Sequence, residues 1–278
     1  MSVDIGKYNC LEVIKKLDFG IYLDGQELGE ILMPRQYVPD GTEPGDMINC
    51  FIYYDSEDRI IATTLNPEAS VGEFAVLTVT AVNNAGAFLK WGLPKDLLVP
   101  YREQKSKMIE GKPYVVYIYV DSLTKRIVAS SKIEKFMSDS KPEYSEGEEV
   151  SLIIFQKTDI GYKTVVNGKH YGVIHFSDVF KPMSIGDKLT GYIKNVKEDS
   201  KINIVLQKPG YIAIDNVSKK ILDYIKSNNG FVPFTDKTPA DVIYREFGIS
   251  KKTFKKSVGF LYKKRLIVIE NTGLRVKN

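Results

Sequence analysis

The chain has 278 residues, of which 43% are hydrophobic and 27% are charged, and its formal net charge is +4. This balance is typical of a folded globular protein and excludes a disordered or collagen-like chain. The N-terminus lacks the basic and apolar regions of a signal peptide, and no apolar run approaches the roughly 20 residues that cross a bilayer. We therefore expect a cytoplasmic protein with no membrane partner.

The charge is unevenly distributed along the chain. Residues 218–278 contain 14 Lys and Arg but 5 Asp and Glu, so they carry +9 and the preceding residues carry −5. This asymmetry predicts that the C-terminal segment binds a polyanion. Cys10 and Cys50 have no metal-ligand spacing, so we predict two buried thiols, with neither a metal nor a cofactor.

An internal repeat with a period of about 66 to 75 residues organises the chain before residue 210. Each unit has a glycine beside aromatic or apolar residues, an apolar run 12 or 13 residues later, and a basic residue that opens its last strand. The unit glycines are Gly20, Gly86 and Gly161. Between these landmarks, alternating or β-branched runs such as residues 75–82 and 114–120 predict about five strands in each unit.

Five strands in roughly 60 residues can close into an OB-fold barrel, which removes the exposed sheet edges. The predicted fold is therefore mainly β, with three tandem OB-fold barrels over residues 5–66, 71–134 and 146–208. The glycine that follows the first strand of each barrel lets the chain bend where a side chain would clash. The polar connection from residue 136 to 146 is compatible with either a hinge or a fixed spacer.

After Gly210 the apolar residues recur at helical spacing, which predicts three helices, a strand, a turn and a second strand. Predicted N-caps are Ser218, Thr238 with Pro239 in the first helical position, and Ser250; predicted helix ends are Asn228–Gly230 and Gly248. In the third helix, an apolar stripe of Phe254, Val258 and Leu261 lies opposite Lys252, Lys255, Lys256 and Lys263. This order of elements predicts a winged helix-turn-helix over residues 215–278.

Two segments carry a resemblance to a known family. Residues 18–23 (DFGIYL) and 172–178 (GVIHFSD) resemble the two signature segments of the ribosomal S-one RNA-binding domain, an OB-fold barrel. Three such barrels followed by a winged helix are similar to the conserved virulence factor B family of bacterial RNA-binding regulators. The resemblance extends from about residue 5 to the C-terminus.

The resemblance implies which positions contact RNA: two aromatics around the glycine, a histidine in the second signature, and an Asp and an Arg in the final hairpin. Met33 and Val99 stand at the histidine position of the first two barrels. The hairpin acids are Asp55 and Asp121. Together with the lysines of the third helix, the candidate RNA-binding residues are Phe19, Tyr22, Arg59, Phe88, Arg126, Tyr162, His175, Lys201, Lys252, Lys255, Lys256 and Lys263.

The physical basis of these candidates is stacking, because each base on an exposed aromatic contributes about 1 to 3 kcal/mol. An aromatic in a strand is nevertheless more often a core residue. Alternation predicts that Phe88 points outward if Ala87 and Leu89 fill the barrel. The three barrels carry −6, +3 and +1, which favours the second and third as nucleic-acid surfaces and the first as scaffold or protein contact.

These features predict an RNA-binding regulator that holds single-stranded RNA on its barrels and uses the winged helix as an additional contact. Neither a carboxylate cluster nor a phosphate-binding glycine loop is present in the sequence, so we do not expect an enzyme. Two alternatives remain open. The third helix could read duplex DNA as part of a transcription factor, or the acidic first barrel could dock proteins as an adaptor.

Overall fold

The computed structural model describes residues 2–179, 182–207 and 214–277, with the side chains of residues 214–216 left out. The chain forms two compact units, Met1–Met137 and Ser138–Asn278. The first unit contains two closed five-stranded barrels, and the second contains a third barrel and the helical domain. The predicted fold of three OB-type barrels and a winged helix is confirmed.

All three barrels have the same topology. The first strand pairs with the second and the fourth, and the third and fifth strands run parallel. The first barrel consists of β1 (Tyr8–Leu17), β2 (Gly20–Asp24), β3 (Glu30–Pro34), β4 (Met47–Tyr54) and β5 (Ile60–Thr63). The second consists of β6 (Phe74–Asn83), β7 (Gly86–Lys90), β8 (Leu97–Pro100), β9 (Pro113–Val120) and β10 (Ile127–Ser130). The third consists of β11 (Glu149–Lys157), β12 (Gly161–Val166), β13 (His170–His175), β14 (Lys188–Val196) and β15 (Ile202–Val205).

The repeated glycine has the predicted steric role. Gly20, Gly86 and Gly161 each open the second strand of a barrel, and a Cβ there would lie 2.2, 2.2 and 2.1 Å from a carbonyl oxygen of the third strand. Any side chain would therefore push the two strands apart. A β-bulge in the preceding strand adds the local twist that lets so few strands close on themselves.

The hydrophobic core of the second barrel extends onto the first barrel, which also has a separate buried core of its own. Phe51 and Tyr53 of β4 belong to the same buried cluster as the interior of the second barrel. The rings of Phe51 and Trp91 meet edge to face with centroids 5.9 Å apart. The backbone N–H of Glu68 donates to the carbonyl of Trp91 at 2.8 Å, which fixes the connection between the barrels. These contacts make the first unit a single packed body.

Part of the connection between the second and third barrels packs on the third barrel. The N–H of Ser138 donates to the carbonyl of Lys169 at 2.9 Å, and Ser140 and Tyr144 hydrogen-bond the ring of His170 at 3.2 and 2.9 Å. Burial, together with the charge of Lys169, lowers the pKa of His170 below its usual value. Residues 138–144 are therefore part of the second unit.

The helical domain is the predicted winged helix. Its three-stranded sheet has the order β16-β18-β17, and β16 was not predicted because two residues carry no periodic signal. The domain consists of α1 (Ile214–Ser227), β16 (Phe231–Val232), α2 (Ala240–Phe247), α3 (Lys251–Lys263), β17 (Ile267–Glu270) and β18 (Gly273–Val276). The predicted domain limits at residues 208 and 278 lie outside the described residues.

Two of the three predicted helix caps are wrong. Ser218 lies inside α1 and is buried, and its hydroxyl donates to the carbonyl of Ser257 at 3.4 Å, so this small residue lets α1 approach α3. Pro239 occupies the cap of α2, while the Thr238 hydroxyl accepts from the N–H of Thr235 at 2.9 Å. The Ser250 cap is confirmed, because its hydroxyl accepts from the N–H of Thr253 at 3.1 Å.

The prediction of two buried thiols is correct for Cys50 and wrong for Cys10. Leu11 and Val13 fill the first barrel, so Cys10 faces outward from β1 by alternation. Burial raises the pKa of the Cys50 thiol to about 12. Among the described residues, no helix is both long and apolar enough to span a membrane.

Candidate nucleic-acid interface

The strand register corrects the predicted position of the histidine. The glycine that opens the second strand pairs with His175 in the third barrel and with Pro34 and Pro100 in the other two. Met33 and Val99, predicted at this position, lie one residue earlier and are fully buried. A shift of one residue moves a side chain to the opposite face of a strand, so the predicted equivalence was wrong.

The first barrel presents two aromatic side chains on its outer surface. Phe19 is 56% exposed and meets the half-buried Tyr22 edge to face, with ring centroids 6.2 Å apart. The Lys15 ammonium lies 4.5 Å from the centroid of the Tyr22 ring and also pairs with Glu30. Phe19 is therefore accessible for stacking, whereas the Lys15 ammonium covers one face of the half-buried Tyr22 ring.

Phe88 of the second barrel has the predicted orientation. Ala87 and Leu89 are fully buried inside the barrel, whereas Phe88 points outward and is half-buried. Its ring lines a cleft beside the first barrel. Phe88 is therefore not a residue of the barrel core.

Tyr162 of the third barrel does not have the predicted exposure. Tyr162 pairs with Ile174 of the third strand. Ile21 and Ala87 hold the same register position in the other two barrels, and both are buried. Only 7% of Tyr162 is exposed, and its hydroxyl donates to the carbonyl of Met183 at 3.3 Å. Its selection as an RNA-binding residue is corrected, because a base cannot stack on a buried ring.

An exposed aromatic of the third barrel is Phe176, which sequence reasoning missed. It is 39% exposed and packs edge to face on Tyr162 with centroids 5.5 Å apart. The Lys157 ammonium lies 5.8 Å from the centroid of the Phe176 ring. His175 is half-buried beside it, and its Nε2 hydrogen-bonds the Oδ1 of Asn203 at 3.1 Å. The sequence signal that could have identified Phe176 is its position directly after the signature histidine, His175.

Each predicted hairpin cation is more than half exposed but pairs with a carboxylate. The pairs are Arg59 with Asp55, Arg126 with Asp58, and Lys201 with Asp199. Hydrogen bonding from Lys201 lowers the pKa of Asp199, and hydrogen bonding from Lys95, with the charges of Lys95 and Arg126, lowers that of Asp58. The positive charge of these hairpins is therefore locally neutralised.

A cleft of about 380 Å³ lies between the two barrels of the first unit, and we call it the inter-barrel cleft. Its walls are formed mainly by apolar and aromatic side chains, with Lys95, Asp96 and Arg126 as charged lining residues. The apolar and aromatic lining includes Tyr53, Tyr54, Phe88, Trp91, Leu97, Leu98, Ile127 and Val128.

A second cleft of about 450 Å³ lies in the second unit, between the third barrel and α3, and we call it the basic cleft. The barrel contributes Phe176, Ser177 and Val179, and the helical domain contributes Ala240, Ser250, Lys251, Lys252, Lys255 and Lys256. Gln207 donates to the carbonyl of Gly248 at 3.0 Å and links barrel and helical domain.

The four candidate lysines of α3 differ from the hairpin cations. Lys252, Lys255, Lys256 and Lys263 are exposed, while Phe254, Val258 and Leu261 are buried as predicted. Within residues 2–179, 182–207 and 214–277, no ion pair joins any of these four lysines to a carboxylate. Lys263 lies outside the lining of the basic cleft, near the end of α3.

Comparisons with known proteins agree with this architecture. Residues 5–65 match the S1 domain, which is the ribosomal S-one type, and residues 219–276 match the CvfB-like winged helix domain. The uncharacterized protein YitL of Bacillus subtilis is 28% identical over 281 residues, covering 97% of this chain and 93% of that protein. Conserved virulence factor B of Staphylococcus epidermidis is 24% identical over 276 residues, covering 96% of this chain and 92% of that protein.

The predicted resemblance to the conserved virulence factor B family is confirmed. Conserved virulence factor B of Staphylococcus aureus is 23% identical over 275 residues and covers 96% of this chain. A solved structure of a Streptococcus pneumoniae multidomain protein with nucleic acid binding domains is 23% identical and covers 98% of each chain, with a TM-score of 0.44. The S1 and winged-helix domains point to a nucleic acid as the partner of this chain.

Proposed function

We propose that this protein is a cytoplasmic, post-transcriptional regulator that binds single-stranded RNA and acts by binding instead of catalysis. The observation that carries the proposal is the basic cleft, where the exposed ring of Phe176 lies beside lysines of α3 that form no ion pair with a carboxylate among the described residues. A single strand presents base faces and phosphates together, and the cleft offers a partner for each.

The two kinds of contact contribute differently to binding. A base stacked on Phe176 would contribute about 1 to 3 kcal/mol with little dependence on base order. Lys252, Lys255 and Lys256 would hold phosphates, and each contact would release counterions from the strand. Aromatic and lysine side chains of this kind hold a nucleic acid without reacting with it, which favours a binding protein.

The geometry favours a single strand over duplex DNA. A helix that reads duplex DNA must enter the major groove, which is about 12 Å wide, so the face that contacts the bases must be free of other protein. Here Ser250, Lys252 and Lys255 at the N-terminal part of α3 line a cleft whose other wall is the third barrel. The S1 type of barrel, which the resemblance associates with RNA, favours RNA over single-stranded DNA.

Equilibrium binding of the intact protein to labelled single-stranded RNA, single-stranded DNA and duplex DNA of one sequence, across a salt series, tests this function. We expect the tightest binding to single-stranded RNA, with affinity falling as salt rises. A preference for the duplex would support a transcription factor. Binding to none of the three would support the alternative of an adaptor that docks protein partners on its acidic first barrel.

A further inference from the structure

The inter-barrel cleft is preformed, because side chains of the first barrel pack into the buried cluster of the second. Phe51 and Tyr53 of the first barrel pack in the same buried cluster as Trp91 and Leu97 of the second. Trp91 forms part of the cleft wall and is held by its indole N–H, which donates to the carbonyl of Lys95 at 2.7 Å. A ligand would therefore enter a rigid slot without first ordering its walls.

The lining of this cleft suits a flat aromatic group. Tyr54 from the first barrel and Phe88 from the second are half-buried side chains of the cleft. Buried Leu97 and Val128 add apolar surface to the cleft. The volume of about 380 Å³ is at the low end of the roughly 300 to 1,000 Å³ of small-ligand sites. The cleft therefore suits one nucleobase better than an extended ligand.

Two of the three charged lining residues of the cleft, Lys95 and Arg126, bind one carboxylate of the first barrel, while Asp96 accepts a hydrogen bond from the Thr80 hydroxyl. The Lys95 ammonium donates to the Asp58 Oδ1 at 2.9 Å and to the carbonyl of Asp55 at 2.6 Å. The Arg126 guanidinium pairs with the other carboxylate oxygen of Asp58. Asp58, Lys95 and Arg126 are all partly exposed, so a soluble anion can reach them. Two cations beside an aromatic slot complement a phosphate attached to a base.

We propose that the inter-barrel cleft takes one base of a single-stranded RNA against Tyr54 and Phe88, while its phosphate displaces Asp58 from Lys95 and Arg126. This inference rests on the proposed function, because it assigns a second RNA site to the same protein. It gives the acidic first barrel a role: the barrel completes the slot, and Asp58 occupies the anion position until a strand arrives. The proposed ligand of the cleft is a single strand and not a free nucleotide.

Trp91 is the single tryptophan of the chain, so its fluorescence reports on this cleft alone. The full-length protein is titrated with a labelled single-stranded RNA, and total binding is followed by anisotropy while Trp91 emission follows the cleft. We expect a saturable change in Trp91 emission. The Phe88→Ala change should weaken the affinity measured from this emission by about 5- to 150-fold, the effect of losing one stacked base.

The Asp58→Asn change tests the displaced carboxylate and leaves the aromatic walls intact. It should raise the emission-derived affinity by up to about fivefold, the size expected from removing an exposed ion pair. Asp199→Asn is the matched control, because Asp199 is a similarly exposed hairpin carboxylate paired with Lys201 on the third barrel. The control should leave the emission-derived affinity unchanged. Equal effects of the two changes would overturn the role of Asp58.

Three further results would overturn the inference. RNA binding by anisotropy without any change in Trp91 emission would reject the cleft while the proposed function stands. An equally strong emission change with a free nucleoside monophosphate would show that the occupant is not a strand. Absence of RNA binding by anisotropy would reject both the inference and the proposed function.

Discussion

The inter-barrel cleft and the basic cleft are similar in size, at about 380 and 450 Å³, but opposite in chemistry. In the first, Lys95 and Arg126 already bind the carboxylate of Asp58, and the walls are largely apolar and aromatic. In the second, Lys252, Lys255 and Lys256 line the walls without an ion pair to any described carboxylate. Phe88 supplies an accessible ring in the inter-barrel cleft, and Phe176 supplies one in the basic cleft.

This difference shows how one repeated barrel can supply two kinds of binding surface. What changes is the neighbour: an acidic barrel in the first unit and a basic helix in the second. Binding in the inter-barrel cleft should depend mainly on stacking, which salt affects little. Binding in the basic cleft should depend on counterion release, which salt affects strongly. Salt dependence is therefore the measurement that separates the two clefts.

The largest expected effect comes from removing the lysine face of α3. Changing its four candidate lysines to glutamine should lower the slope of log affinity against log salt by up to about 3, at about 0.7 per contacted phosphate. The changed residues are Lys252, Lys255, Lys256 and Lys263. Binding of the full-length variant to single-stranded RNA from low to moderate salt measures this slope.

A variant with the same loss of charge provides the control for the lysine face. It changes four exposed lysines outside the basic cleft to glutamine, namely Lys219, Lys220, Lys226 and Lys237. We expect this variant to keep most of the original slope. If both variants lose the same slope, the α3 lysines act only through net charge and the basic cleft is not a specific contact.

The next effect concerns the exposed ring of the basic cleft. Phe176→Ala should weaken RNA binding by about 1 to 3 kcal/mol without changing the salt slope, because stacking involves no counterions. Tyr101→Ala is a matched control. Pro100 and His175 hold the same register position in their barrels, Tyr101 and Phe176 directly follow them, and both aromatic side chains are exposed. Equal losses in the two variants would contradict a contact made in the basic cleft.

The sequence was sufficient to predict the fold but not the composition of the clefts. The barrels were predictable because Gly20, Gly86 and Gly161 meet a local steric need that only glycine satisfies. Tyr162 and the histidine position were misassigned because apolar runs do not define strand register to one residue. The pairing of Arg126 with Asp58 depends on how two barrels pack, which local patterns do not contain.

His175 should have a smaller effect than Phe176. Its ring is half-buried and hydrogen-bonded to Asn203, so it offers RNA at most one further polar contact. We expect His175→Ala to weaken RNA binding by about 0.5 to 1.5 kcal/mol, the usual net contribution of one hydrogen bond. Asn203→Ala should produce part of this loss if Asn203 orients the ring. Unchanged affinity in His175→Ala would remove this residue from the site.

The smallest expected effect is that of Tyr162→Phe, which tests whether the Tyr162 hydroxyl contacts the strand. The change removes only the hydroxyl that donates to Met183 and keeps the buried ring. RNA affinity should therefore not change, and the free energy of unfolding in urea should fall by about 1 kcal/mol or less. Tyr162→Ala should instead cost about 3 to 5 kcal/mol of stability, because it leaves a cavity in the barrel. A loss of RNA affinity in Tyr162→Phe at unchanged stability would place its hydroxyl against the strand. The basic cleft would then extend into the third barrel, and its difference from the inter-barrel cleft would involve more than the lysines of α3.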